Sequence, residues 1–264
     1  MLLQKYGPLI GVVLSLVLCL GIILVATNGS GLDNKASAYN NREWFLTTEE
    51  TDAYEFPTYT GTEPLEWLDG IAFLQVPEEA LKAMSTDGLI ETCLTYPEYA
   101  AGMIFSNHSM YAGFQGTLEN FNGFAELFQR EDAGQKLLAL YRGIDQGEAV
   151  SSSDSYILRM RYIEFLLAQN EVLTKLSVEE RNVLQTACIH NVNERVQKYY
   201  EQLPLDSPIF LIARISYMDN SVFIAYAEEH SEIMFFLNTS MMLPLTEAEL
   251  AEFEAAINIQ WEIN

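Results

Sequence analysis

Residues 177–202 read SVEERNVLQTACIHNVNERVQKYYEQ, and the fold class turns on this stretch. Ser177 stands three residues before Glu180, the spacing of a capping box: the hydroxyl accepts from the N–H of residue 180 while that carboxylate reaches back to the N–H of residue 177. Leu184, Cys188, Val192, Val196 and Tyr199 follow at intervals of four, four, four and three, which places them on one face of a 3.6-residue period. The pattern predicts an amphipathic helix running to about Gln202.

Downstream the same grammar repeats. Ser207-Pro208 opens a helix, and Asn220-Ser221 opens another with the stripe Phe223, Tyr226, Ile233, Met234 and Leu237. Thr246-Glu247-Ala248-Glu249 is a second capping box, leading a helix with Leu250, Phe253, Ile257 and Trp261 on one side. Upstream, Asp154 to about Asn170 carries Tyr156, Met160, Ile163 and Leu167, and 143–153 is a polar loop without apolar period. Asp132 caps a helix bearing Leu137, Leu138 and Tyr141, preceded by Phe114, Leu118 and Phe121 and then Phe124, Leu127 and Phe128. Pro77 opens a first helix ending near Met84, Ser85 or Thr86 caps the next, with Leu89, Cys93 and Leu94 inward, and Pro97 breaks the chain so that another helix begins there. No alternating run long enough for a sheet competes. The expectation is an all-α domain over 77–264, an irregular multi-helix bundle. A HEAT-like α-solenoid is the alternative, although no fixed repeat period appears.

The rest of the chain is organised differently. After a short tail (1–6), residues 7–26 read GPLIGVVLSLVLCLGIILVA without a charge. As a helix this run would span roughly 30 Å, the thickness of a bilayer's hydrocarbon core. It is longer than a signal-peptide core, and the best small-x-small triplet, Ala36-Ser37-Ala38, lies well past its end, so an uncleaved transmembrane signal-anchor is favoured over a cleaved signal. A lipoprotein reading through Cys19 fails on the apolar residues that continue beyond it. With the short tail inside, the remainder is extracytoplasmic and the protein is single-pass in the cell membrane; secretion after cleavage is the alternative. Residues 27–43 are a flexible linker rich in Gly, Ser, Asn and Asp, and 44–76 an extended aromatic and acidic arm broken by Pro57 and Pro64.

Composition narrows the function classes. The 264 residues hold 14 Lys+Arg against 37 Asp+Glu, a net charge of −23, which excludes a phosphate-neutralising nucleic-acid binder. A hydrophobic fraction of 49% excludes a disordered acidic tail, and three Cys exclude a disulfide-dense miniprotein.

Val76-Pro77, the run Met84-Ser85-Thr86-Asp87-Gly88-Leu89-Ile90-Glu91-Thr92-Cys93-Leu94-Thr95-Tyr96-Pro97, and the later Phe121-Asn122-Gly123 and Ala213-Arg214-Ile215 form a recognisable set. Over residues 75–237 the chain resembles an uncharacterised family of exported helical proteins from anaerobic, often gut-dwelling, bacteria. The resemblance implies an exported helical domain and supplies no catalytic positions.

Catalytic signatures are sparse. His108, His190 and His230 form no close pair of metal-ligand type, and His230 sits on an apolar stripe, where a hydrogen-bonded core histidine is expected. There is no nucleophile elbow, Walker loop, dinucleotide fingerprint or calcium loop. Cys93 and Cys188 fall on apolar helix faces and are either a bridge or, the favoured reading, two buried thiols. The clusters Glu228-Glu229-Glu232 and Glu247-Glu249-Glu252-Glu254 fall on polar helix faces, and Asn107-His108-Ser109 and Asn238-Thr239-Ser240 match an acceptor pattern for glycosylation only by coincidence. No catalytic, cofactor or metal residue is assigned. The expected function is a non-catalytic, membrane-anchored module that binds an envelope protein or peptide in a groove between helices, with an exposed apolar or aromatic patch and no buried titratable cluster. The alternative is an envelope hydrolase with paired carboxylates, one of them desolvated and facing the other in a cleft.

Overall fold

The computed structural model describes residues 51–60, 67–97, 110–147, 154–199, 202–241 and 245–257, so the anchor at 7–26, the linker at 27–43, His108 and Trp261 lie outside the described residues. Among the described residues all regular structure is helical. The helices are α1 (Trp67–Phe73), α2 (Glu78–Ala83), α3 (Thr86–Leu94), α4 (Met110–Asn120), α5 (Asn122–Leu127), α6 (Ala133–Arg142), α7 (Asp154–Leu167), α8 (Asn170–Leu173), α9 (Val178–Glu194), α10 (Asp206–Asp219), α11 (Ser221–Glu229), α12 (Ser231–Thr239) and α13 (Glu247–Ala256).

Their boundaries follow from side-chain chemistry. Both capping boxes form, Ser177 with Glu180 and Thr246 with Glu249. Ser85 rather than Thr86 caps α3, its hydroxyl accepting from the Gly88 N–H at 3.0 Å. Asp132 occupies the N-cap position of α6 but makes no capping bond; its carboxylate accepts from the Thr86 hydroxyl at 2.6 Å and ties α6 to α3. The stretch read as one helix from residue 220 onward is two, because His230 takes φ −123° and ψ 99° between α11 and α12. His230 is therefore a junction residue, its Nδ1 2.7 Å from the Tyr226 carbonyl and its ring stacked on Tyr226 at 4.2 Å. Likewise the helix read as running to Gln202 is α-helical only to Glu194 and continues as a π segment, Arg195–Tyr199.

Helix α7 lies at the centre, packing against α4, α6, α8 and α10, while α9 lies along α10 and also meets α6. Residues 162–168 are buried on every side, which is why this helix carries little polar face. One continuous core joins the helices. An aromatic chain runs through it, from Phe121 and Phe124 to Tyr162, Phe114 and Phe165, then to Phe210, Phe236 and Phe253. Phe114 meets Tyr162 edge-on at 4.7 Å, the arrangement aromatic quadrupoles favour. Full burial of each such ring contributes roughly 1.5–3 kcal/mol.

Residues 51–60 have no regular structure and cross α3. The Asp52 carboxylate accepts from the Ser85 N–H (2.7 Å) and hydroxyl (2.5 Å), and the Tyr54 N–H donates to the Thr92 hydroxyl at 2.8 Å. Phe56 packs on Tyr96 and Phe121, which stack at 4.2 Å. Gly88 lies under the crossing: a Cβ there would fall 1.9 Å from Asp52 Oδ1. The residues of the 84–97 motif thus have physical assignments. Ser85 and Thr92 hold the arm, Gly88 leaves it room, and Tyr96 receives its aromatic ring. The arm's C-terminal part contains a helix, α1, which was not expected.

Candidate functional site: a cavity above a buried ion pair

Helix α9 keeps Leu184, Cys188 and Val192 buried as its period dictates, but the next buried side chain is Arg195, with Val196 only partly covered. The change to π geometry at Arg195 accompanies this shift of register, and such segments recur at functional sites. Helix α7 supplies the partner. Glu164 sits within the buried run Tyr162–Ala168, where a carboxylate must be fully hydrogen-bonded or carry a severe desolvation penalty.

The pair is fully satisfied. Arg195 Nη2 lies 2.6 Å from Glu164 Oε1, and both side chains are 0% exposed. Glu164 Oε2 accepts from the Ser207 hydroxyl at 2.6 Å, and the Tyr141 hydroxyl lies 3.2 Å from Oε1. Arg195 Nη1 donates to the Pro204 carbonyl at 2.8 Å, and Nε donates to Gln146 Oε1 at 2.7 Å. Burial alone would lower the pKa of Arg195, but the charge of Glu164, with Tyr141 and the hydrogen bond to Glu164, holds it above its ordinary value. Burial pushes the Tyr141 hydroxyl well up, reinforced by Cys188 and Glu164. The Cys188 thiol, pushed up by burial and then by the Glu164 charge, donates to the Pro208 carbonyl at 3.2 Å and stays protonated. Cys93 is raised by burial as well, and both cysteines are free thiols, so the bridge is not formed.

Above this network a cavity of about 320 Å³ opens between the end of α6, the turn that follows it and the last turns of α9. Tyr141, Gln146 and Asn191 line its inner part, and Arg142, Asp145, His190 and Glu194 are among its outer residues. Gln146 is 2% exposed; its Oε1 is taken by Arg195, while its Nε2 has no hydrogen-bond partner among the described residues. Arg142 is exposed and makes no ion pair among the described residues, whereas Glu194 is held by Lys198 at 3.0 Å. A smaller hollow of about 120 Å³ shares His190 and Glu194 with it.

Of the residues weighed from sequence, His190 reaches this cavity and Cys188 lies in the network next to it. His230 does not, and the Glu228–Glu232 and Glu247–Glu254 groups lie on α11–α13 and line neither this cavity nor its smaller neighbour. Glu249 instead has its pKa lowered by the hydrogen bonds of its capping box. The expected absence of a buried titratable cluster is corrected by the Tyr141–Glu164–Arg195 network, because a carboxylate in a helix covered on all sides needs a cation beside it. A clue was present in sequence: in YIEFLLA, 162–168, Glu164 is the only charge in an apolar run. Gln146 and Ser207, by contrast, stand 49 and 43 residues from their partners Arg195 and Glu164, separations that no periodicity reports.

No group of three or more His, Cys, Asp or Glu side chains placed to hold a metal ion exists among the described residues, and no helix there is long and apolar enough to cross a membrane. Compared with protein-family models, curated proteins and solved structures, the chain finds no match.

Proposed function

We propose that this protein is a membrane-tethered helical module of the bacterial cell envelope that binds a partner protein or peptide, and that the cavity above Glu164–Arg195 receives part of that partner. The observation that carries the reading is a buried donor, Gln146 Nε2, beside a cavity and held in place through Arg195. A site whose inner wall is fixed before binding loses little side-chain freedom when a ligand arrives. The uncharged run at 7–26 is the tether, with the acidic domain outside the cytoplasm; release after cleavage is the alternative form of the same reading. Helices ranging from four to 17 residues favour an irregular bundle over a HEAT-like stack of equal units.

Crosslinking the full chain in native envelopes is expected to capture a defined partner, and Asn191→Trp, which fills the cavity, to abolish the capture. Capture unchanged by that variant would remove the cavity from the function. Intact mass with fractionation tests the tether: a membrane-bound chain retaining residues 7–26 is expected.

A second reading, an envelope hydrolase, draws on Asp145 and Glu194 sharing the cavity. It requires one acid to be shielded from water, but Asp145 is exposed and Glu194 is ion-paired. Hydrolysis of an envelope glycan or peptide, lost in Asp145→Asn with Glu194→Gln, would favour it over the binding module.

A further inference from the structure

We infer that the group bound in this cavity is a carboxylate, carried by an amino acid or by the C-terminal end of a peptide. The inference rests on the binding reading above and deepens it.

The inner surface offers donors. Gln146 is anchored by the bond its oxygen accepts from Arg195, so the amide orientation is fixed and Nε2 is the end left over. A buried donor without an acceptor leaves its desolvation uncompensated, which a ligand oxygen brought to this position would offset. Asn191, 7% exposed, places a second amide in the lining from α9. At the mouth Arg142 supplies a guanidinium, which pairs with carboxylates through two parallel N–H bonds. Among the described residues this guanidinium makes no ion pair, in a chain with 37 acids and 14 bases.

The acids at the mouth do not oppose this. Glu194 is engaged by Lys198, whose pKa is raised by that hydrogen bond and by the Glu194 charge, with a smaller contribution from Asp145. The cavity's own lining carries Arg142 against Asp145 and Glu194, with His190 beside them, and Lys198 reaches Glu194 from the neighbouring hollow. A carboxylate can approach the donors from the side of Arg142. A cavity of about 320 Å³ also admits the last residues of a peptide.

The test is calorimetric titration of the full chain in detergent micelles with three probes: trialanine, trialaninamide and L-alanine. Trialanine is expected to bind and its amide at least tenfold more weakly. Arg142→Gln is expected to weaken trialanine about tenfold, as loss of a charge-assisted hydrogen bond does. Gln146→Glu retains an oxygen for Arg195 Nε but replaces the spare donor with an acceptor, and should abolish trialanine binding; Arg142, being exposed, provides the same test where the inner variant perturbs folding. Displacement of trialanine by L-alanine would assign the carboxylate to free amino acids, and its absence to chain ends. Equal binding of trialanine and its amide would overturn the carboxylate assignment while leaving the binding module intact. No binding of trialanine or L-alanine, with envelope capture still sensitive to Asn191→Trp, would also overturn it.

Discussion

Among the described residues two arginine–glutamate pairs are buried, and they are built to different standards. Glu164–Arg195 has every carboxylate oxygen engaged, and the guanidinium spans Glu164, Gln146 and Pro204. Glu91–Arg159, joining α3 to α7, is nearly as buried, at 4% and 3% exposed, yet Glu91 Oε1 and Arg159 Nε have no hydrogen-bond partner among the described residues. The first pair organises neighbours on four segments and forms the base of a cavity; the second only links two helices. Buried charge in one protein can therefore serve to fix a site or merely to survive burial, and the pattern of remaining hydrogen bonds tells them apart.

The sharpest way to break that comparison is Arg195→Ala, which strands the Glu164 charge at 0% exposure. It is expected to cost about 3–5 kcal/mol in urea unfolding of the full chain, and a loss below about 1 kcal/mol would show that Glu164 is not held as described. Replacing both members separates the pairs by sign. Glu164→Leu with Arg195→Met orphans Ser207, Gln146 and the Pro204 carbonyl and should destabilise by several kcal/mol, at about 1–3 kcal/mol for each buried group left unpaired. Glu91→Leu with Arg159→Met should be neutral or stabilising, by up to about 1–4 kcal/mol, because little else depends on that pair. Equal outcomes for the two doubles would erase the distinction.

The arm crossing offers a smaller effect. Gly88→Ala sets a Cβ against Asp52 and should cost about 1–3 kcal/mol in loosened contacts, offset by the roughly 1 kcal/mol that Ala gains over Gly within a helix. In Asp52→Ala the same substitution should cost less, because only the contact with the residue 52 backbone at 3.0 Å remains, a non-additivity visible in thermal midpoints. Acid should loosen the arm too. Hydrogen bonds from the Ser85 hydroxyl and N–H lower the pKa of Asp52 beneath its usual 3.8. A folded pKa below the unfolded one means that the contribution is complete above the unfolded value and lost as the pH falls through the folded one. Hydrogen exchange at the Tyr54 amide, which Thr92 accepts, should therefore lose protection below about pH 4. Asp52→Asn should remove that pH dependence.

Smallest is Ser177→Ala, expected to cost about 1 kcal/mol in urea unfolding by removing one side of a capping box.

Local chemistry made much of this architecture readable. The boxes at Ser177 and Thr246 and the Ser85 cap are short-range patterns, each contained in a few residues. What escaped was of two kinds. The π segment and the break at His230 are places where packing outweighed a 3.6 period, so Val196 was read as inward where Arg195 is buried. The cavity escaped because Tyr141, Gln146, Glu164, Arg195 and Ser207 arrive from five segments, and each alone resembles an ordinary residue on a helix or turn.

The strap over α3 also sets how the domain answers to mechanical load. Its attachments run in order, Asp52 at the start of the helix, Tyr54 at Thr92, and Phe56 at the Tyr96–Phe121 stack. A pull directed along the strap shears all three together, whereas a pull outward from the surface peels them one after another. In the second geometry Asp52 yields first, and the force reaches the aromatic stack only after the polar attachments have ruptured.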